Sequence, residues 1–530
     1  MKRLKQYYAT VRHLKLRQIV YQLWYRLYRA KRFRPPPVPP LRKLENWTAP
    51  ICPPSSMSSP REFNFLNQPA SLDKVGWSGS GQPLLWRYHQ HYFDDLNATD
   101  SRSRRVWHQE LISDWIAQNP PAAGVGWDAY PTSLRVVNWV KWALSGGTLS
   151  KHATASLAAQ LHWISRRIEY HIDGNHIIKN GKALIFGGAF FCWPEMLRKG
   201  ARLIRKALKE QILDDGGHYE LSPMYHAQVL EDVLDLINLS RTFPEGKSVE
   251  NICRPYVQPM LQWLECMTHP DGGPAFFNDS CFRASPTFRE LQDYARRLGF
   301  GELPKARVLR RSGYVRLDAA KATCILDVGE IGARHQPGHG HADALSFEMS
   351  LAGQRVLVNS GISTYAAGAL RDQQRGTAAH NTVCVDGKNQ SDLWAAFRVG
   401  RRAHVSDVQV DGNKVAATHD GYVQRGGPAH RRAWELSTEA LIVDDVLTGP
   451  FETACANFYF HPDIDLRLQG KNAGVGISPG GVRIEWVQEG GEQSLKPAKW
   501  YPEFGTAMDS SCLCIQFSGP SLRTRFHWGD

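Results

Sequence analysis

A change of hydrophobic period near residue 305 constrains this chain more than any other feature. Before it, apolar residues recur at helical spacing through 106–118, 134–145, 154–171, 182–199, 203–213, 229–242 and 256–267, with short polar or Gly-rich breaks. After it, short alternating runs take over, among them 313–317, 322–327, 345–351, 354–358, 381–386 and 402–406, bounded by Gly and Asp turns. Serial helices without a fixed-period repeat predict an α-toroid or α-solenoid. Many short strands predict an antiparallel β-sandwich. The predicted fold class is therefore α+β multidomain: an arm and linker over 1–43, a helical domain over 44–305 that is loop-rich to residue 85, and a stranded domain over 306–530. A cleft is expected between the two large domains, since ligand sites favour such junctions.

The charge belongs to the arm. The chain carries 64 Lys and Arg against 51 Asp and Glu, a formal net charge of +13. Residues 1–43 hold 13 of the bases and no acid, so the remainder is neutral, 51 against 51. Ile19, Leu23, Arg26 and Leu27 recur at near-helical spacing, which predicts an amphipathic helix. It either docks on the body with a solvated basic face or meets a membrane surface or an acidic partner. No recognition motif accompanies the charge, so nucleic acid is not expected. The arm lacks the apolar core and cleavage site of a signal peptide. Ten Cys without a CxxC pair suit buried thiols of a reducing compartment. The location expected is cytoplasmic, with membrane association, and the alternative is periplasmic.

Polar clusters punctuate this frame. In Arg334-His335-Gln336-Pro337-Gly338-His339-Gly340-His341-Ala342-Asp343, an extended strand would put His339, His341 and Asp343 on one face. That suits a metal, a proton relay or both. Gly on either side of His339 would let a substrate approach the backbone. Asn175 and His176 open an apolar helix, where backbone N–H groups and the helix dipole favour an anion; Asn175 as a plain N-cap is the alternative. Tyr225 and His226 lie ahead of another helix. Trp127, Tyr130, Arg135 and Asn138 supply stacking faces and a fork for a sugar acid.

Together, Gly174-Asn175-His176 through Asn180-Gly181, Ser222-Pro223-Met224-Tyr225-His226, Gly338-His339-Gly340-His341-Ala342-Asp343 and Ala379-His380-Asn381-Thr382-Val383 resemble the heparinase II/III-like polysaccharide lyases and their alginate lyase relatives. The resemblance runs from about residue 86 onward. It implies an (α/α) toroid followed by a β-sandwich, and β-elimination on a uronate-containing acidic polysaccharide. It also implies Asn175 and His176 as neutralisers of the substrate carboxylate, and Tyr225 and His339 as catalytic groups approaching opposite faces of the sugar. Tyr365 is a second acid or substrate contact, and His226 a further substrate contact. The arm looks like that of members tied to exopolysaccharide synthesis or processing. His341 and His380 match two ligands of a structural zinc. The third family ligand is an Asp, and here Asn359 stands in its place, a poor ligand beside two His. Asp343 or water completes the set, or the His pair is a hydrogen-bonded brace. No organic cofactor is expected. Two other readings compete. A glycoside hydrolase would need two carboxylates across the cleft, for which Glu220 and Asp279 are candidates. The other is a non-catalytic glycan-binding or assembly protein.

Overall fold

The computed structural model describes residues 2–27, 33–41, 47–301 and 304–529, with side chains described from residue 7 onward except at 244. Within the first large domain, helices Arg105–Gln118, Ala129–Leu144, Lys151–Arg166, Asn175–Phe190, Pro194–Gln211, Pro223–Thr242 and Lys247–Cys266 wind into a toroid around buried Trp86, Trp115, Trp139 and Trp263. Their boundaries follow local chemistry. The Ser150 hydroxyl accepts from the Ala153 amide at 3.1 Å. Thr287 and Glu290 close a capping box on Phe288–Arg297. The continuous helix expected over 182–199 is two helices. The chain breaks at Cys192, whose φ is 48°, and restarts at Pro194, which lacks the N–H that a continuing helix would use. Residues expected to be loop also form a small antiparallel sheet, Met57–Ser59, Glu62–Phe65 and Gln68–Ser71.

Beyond Phe288–Arg297 the strands begin at Val308 and build two antiparallel sheets. One has eight strands, with Ala429–Leu436, Ala440–Thr448 and Ser521–His527 at its centre. The other has nine and carries Phe347–Leu351, Gln354–Leu357 and Ala454–Phe460. Alternation sets their faces. In Ala429–Leu436 the buried positions are His430, Arg432, Trp434 and Leu436, and every second residue points away. Phe347, Phe458, Trp434, Trp486 and Phe526 fill the space between the sheets.

The arm is two helices, Lys2–Val11 and Leu16–Leu27, laid across both domains. On the toroid side, Arg17 reaches Asp173 at 2.6 Å and Glu210 at 3.2 Å, Lys15 pairs with the same two acids, and the Tyr25 hydroxyl donates to the Ile168 carbonyl. On the sandwich side, Tyr7 packs edge-on to Trp394, and the Thr10 hydroxyl donates to the Val399 carbonyl. Phe33, ahead of the Pro-rich segment, packs against Trp163. Among the described residues, no helix is long and apolar enough to cross a membrane.

Candidate active site

Where the toroid meets the sandwich, Tyr225 and His339 stack. Their ring centroids lie 4.0 Å apart with 32° between planes. Tyr225 stands in the first turn of Pro223–Thr242. The Ser222 hydroxyl accepts from its amide at 3.1 Å, and Pro223 fixes the turn before it. The Tyr225 hydroxyl is 3.0 Å from that of Tyr365, which comes from the stranded domain. Burial, reinforced by Tyr130 nearby, pushes the Tyr225 phenol well above its usual range, so it rests protonated. Expected on opposite sides of a sugar, Tyr225 and His339 stand together here, with no room for a sugar between rings 4.0 Å apart.

The loop carrying His339 is irregular, not the expected strand; pairing starts at Phe347. A turn closed by the Gly340 N–H on the Pro337 carbonyl still brings both imidazoles to one carboxylate. Asp279 lies 2.7 Å from His339 Nδ1 and 2.9 Å from His341 Nε2. Arg371 grips the same carboxylate with both terminal nitrogens, at 2.5 and 2.7 Å. Burial alone would raise the Asp279 carboxyl, but Arg371 and the two His hold it well below the usual range. It is therefore ionised and accepts a hydrogen bond from the Nδ1–H of His339, which leaves Nε2 as the ring's acceptor nitrogen. Glu220 Oε2 sits 3.4 Å from that Nε2. Burial raises the Glu220 carboxyl, which also accepts the Asn175 backbone N–H at 3.2 Å. Of the two glycines beside His339, Gly340 is required by packing, whereas a Cβ on Gly338 would meet nothing nearer than 3.5 Å. A Cβ on Gly340 would fall 2.5 Å from the Ile331 carbonyl.

Asn175 is the first residue of its helix, not its cap. Gly174 precedes it with φ of 58°, and a Cβ there would fall 2.4 Å from Glu220 Oε1. The Asn175 side chain is buried at this positive helix end, where the Glu220 carboxylate already accepts its backbone N–H. His176 packs on Tyr130 at 4.4 Å, and its Nδ1 lies 3.1 Å from Glu169 Oε1. Asn180, one turn on, holds Glu169 by donating to Oε2 and accepting its backbone N–H.

Behind His339, the ligand atoms of His341, Asp343 and His380 lie within 4.8 Å of one another, all buried. Both ring nitrogens of His380 and Nδ1 of His341 lack partners among the described residues. Two imidazoles and a carboxylate with orphaned nitrogens fit a zinc-type cation, and Asp279 on His341 Nε2 would orient that ligand. Asn359 stands where the family's third ligand is an Asp. Its side-chain oxygen accepts the Asn381 amide at 3.2 Å. Asp173, Glu210 and His335 make a second such cluster, but Lys15 and Arg17 ion-pair with its carboxylates.

Four expected substrate contacts lie inside the wall instead. Arg135 is buried over Trp115, donating to Gln160, Thr132 and the His91 carbonyl. Asn138 bridges the Tyr92 carbonyl and Asp94. Trp127 is buried, its indole N–H donating to the Asn119 carbonyl. His226 stacks on Trp263, with one ring nitrogen on the His218 amide and the other on the Met260 carbonyl. Tyr365 remains beside the Tyr225–His339 pair, and Tyr130 and His176 pack on each other. Arg371 and Glu169 were not singled out from sequence; for Arg371, nothing local marks a charge aimed at a partner 92 residues away.

Comparison with known proteins agrees with the fold. The family Heparinase II/III N-terminus matches residues 88–299, and Heparinase II/III-like, C-terminal matches 302–529. A heparin-sulfate lyase of Pedobacter heparinus is 24% identical over 380 residues, covering 62% of this chain and 56% of that protein. One of Bacteroides stercoris is 22% identical, covering 61% and 57%. The chain thus spans little more than half the length of these relatives. A crystal structure of heparinase III superposes with a TM-score of 0.67 at 16% identity, covering 83% of this chain and 76% of that one, a likeness of fold.

Proposed function

The chain belongs to the heparinase II/III-like family, and from that premise we propose that it is a polysaccharide lyase that cleaves a uronate-containing acidic glycan by β-elimination. The observation that carries the reading is the Tyr225–His339 stack, formed across the domain junction near the helix start that carries Asn175 and His176. In this reading Asn175 and His176 neutralise the sugar carboxylate, which makes the C5 proton removable and stabilises the enolate-like charge. His339, its Nδ1 proton anchored on Asp279, takes the C5 proton at Nε2. Tyr225, a neutral phenol, donates its proton to the leaving O4, and Tyr365 is placed to reload it. The C4–O4 bond breaks, a C4=C5 double bond forms, and no water is consumed.

With acid and base on one side, the elimination is syn. The substrates favoured are uronates whose C5–H and C4–O lie on one ring face, as in glucuronate. We further propose that His341, Asp343 and His380 hold a structural zinc, and that the physiological polymer is an exopolysaccharide processed during its own synthesis. The hydrolase reading has weaker support. Glu220 and Asp279 flank a single imidazole, and Asp279 is saturated by Arg371 and two His, so they do not face each other across a sugar. The test is purified protein against a panel of uronate polymers, followed by the near-ultraviolet absorbance of unsaturated ends. Reducing sugar without that absorbance would favour hydrolysis. No cleavage anywhere, with Tyr225→Phe leaving cellular function intact, would favour a binding protein.

A further inference from the structure

Helix Leu16–Leu27 is amphipathic in the reverse sense to a docked helix. Steps of four, three and four place Leu16, Val20, Leu23 and Leu27 in one stripe. That stripe faces outward, with exposures of 76, 51, 54 and 82%. The face against the body is the polar one. Gln18 is buried and donates to the His335 carbonyl, Tyr21 packs on Tyr170 at 4.7 Å, and Tyr25 packs on His171 at 4.9 Å. Exposed Tyr8 and Val11 extend the apolar surface onto the preceding helix. Folding alone does not explain exposed leucines in register, since a soluble chain gains nothing from them.

What covers the stripe is set by charge. Exposed Arg12 and Arg26 lie in and around it, Lys2, Arg3 and Lys5 belong to the first helix, and residues 1–43 contain no acid. A second copy of the arm would bring 13 positive charges against 13. An acidic glycan would satisfy the bases and leave the leucines in water. A bilayer with anionic headgroups satisfies both at once, apolar side chains entering the acyl boundary and bases lying at the phosphates.

We propose that the outer face of the arm is a docking surface for an anionic membrane. Leu16, Val20, Leu23 and Leu27 insert, while Lys15 and Arg17 keep the inner face tied to Asp173 and Glu210. The helix does not span the bilayer; it lies in its surface. Because the inner face also touches the loop before Asn175, docking holds the cleft close to the membrane.

The test is co-sedimentation of the full chain with phosphatidylcholine vesicles, with and without phosphatidylglycerol, at low and high salt. The expected result is binding that requires phosphatidylglycerol and weakens with salt. Leu16→Ser/Leu23→Ser/Leu27→Ser is expected to weaken it about tenfold or more, with near-ultraviolet circular dichroism unchanged because these positions are exposed. Arg12→Gln/Arg26→Gln is expected to weaken binding and flatten its salt dependence. Absence of vesicle binding by the unaltered chain overturns the proposal, as does equal binding by the leucine variant. A concentration-dependent dimer that the leucine variant abolishes, without vesicle binding, assigns the face to a second copy and also overturns it.

Discussion

Tyr225 and Asp279 do different kinds of work, and substitution separates them. Tyr225→Phe keeps the ring stacked on His339 and removes only the hydroxyl shared with Tyr365. Lyase turnover is expected to fall about 10²–10⁴-fold, the usual range for losing a positioned acid, with the thermal midpoint little changed. Unsaturated-product assay and a melting curve on one preparation check both halves. Asp279→Asn is expected to harm the fold as well. Arg371 would then be buried without its carboxylate, at a cost of about 3–5 kcal/mol, and His339 would lose the acceptor that fixes its tautomer. Urea denaturation is expected to show the loss, and Arg371→Met with Asp279→Asn to recover part of the stability without activity. The residue scale is also where sequence was least legible. Arg135 and Asn138 have the chemistry of a sugar-acid site, yet they point into the wall, because helix pattern does not tell which of two buried faces borders a cleft. Tyr225, His339 and Asn175 were legible through their motifs, whose spacing survives a loop that is not the strand it was expected to be.

At the scale of elements, the helix starts and the buried strand pairs govern the outcome. Gly174 needs both its positive φ and its missing Cβ, since Glu220 Oε1 occupies the space. Gly174→Ala is expected to displace Glu220 and the start of Asn175–Phe190. It should lower kcat at least about tenfold while far-ultraviolet circular dichroism holds, because a misplacement near an ångström is costly to catalysis. In the sandwich, strands Ala429–Leu436 and Ala440–Thr448 pair Arg432 directly with Asp445 and bury both. Burial alone would raise the Asp445 carboxyl, but Arg432 and His430 hold it at about 2. A carboxyl depressed on folding stabilises above its unfolded value near 4 and loses that contribution as pH falls toward 2. The contribution is about 2 kcal/mol. The gap in unfolding midpoint between the unaltered chain and Asp445→Asn is therefore expected to narrow as pH falls through that window. A gap constant with pH would count against an ionised Asp445. The strands themselves were legible from alternation, but the charged pair between them was not, because register joins residues 13 apart through a turn.

For the whole molecule, neither large domain holds a complete site. Tyr225 and Asn175 come from the toroid, His339 and Tyr365 from the sandwich, and the arm pins both, through Asp173 on one side and Trp394 on the other. The change of period at residue 305 made this division legible; the relative placement of the halves was not, since it depends on contacts hundreds of residues apart, such as Gln18 with His335. That placement carries a stereochemical consequence. With the roles proposed for them, His339 and Tyr225, 4.0 Å apart ring to ring, would reach a sugar from one side. Removing the C5 proton and protonating O4 from that side requires both to lie on the same ring face, which holds for glucuronate and fails for its C5 epimer. On two polymers that differ only in that epimer, the glucuronate form is expected to be cleaved with kcat/KM at least about a hundredfold higher, a modest share of what a positioned acid and base contribute together. His339→Ala should erase turnover of the glucuronate form and leave any residual activity on the epimer unchanged. Equal rates on both polymers would mean that Tyr225 and His339 part to opposite sides when the chain binds, and the resting stack would then be a storage geometry, not the reacting one.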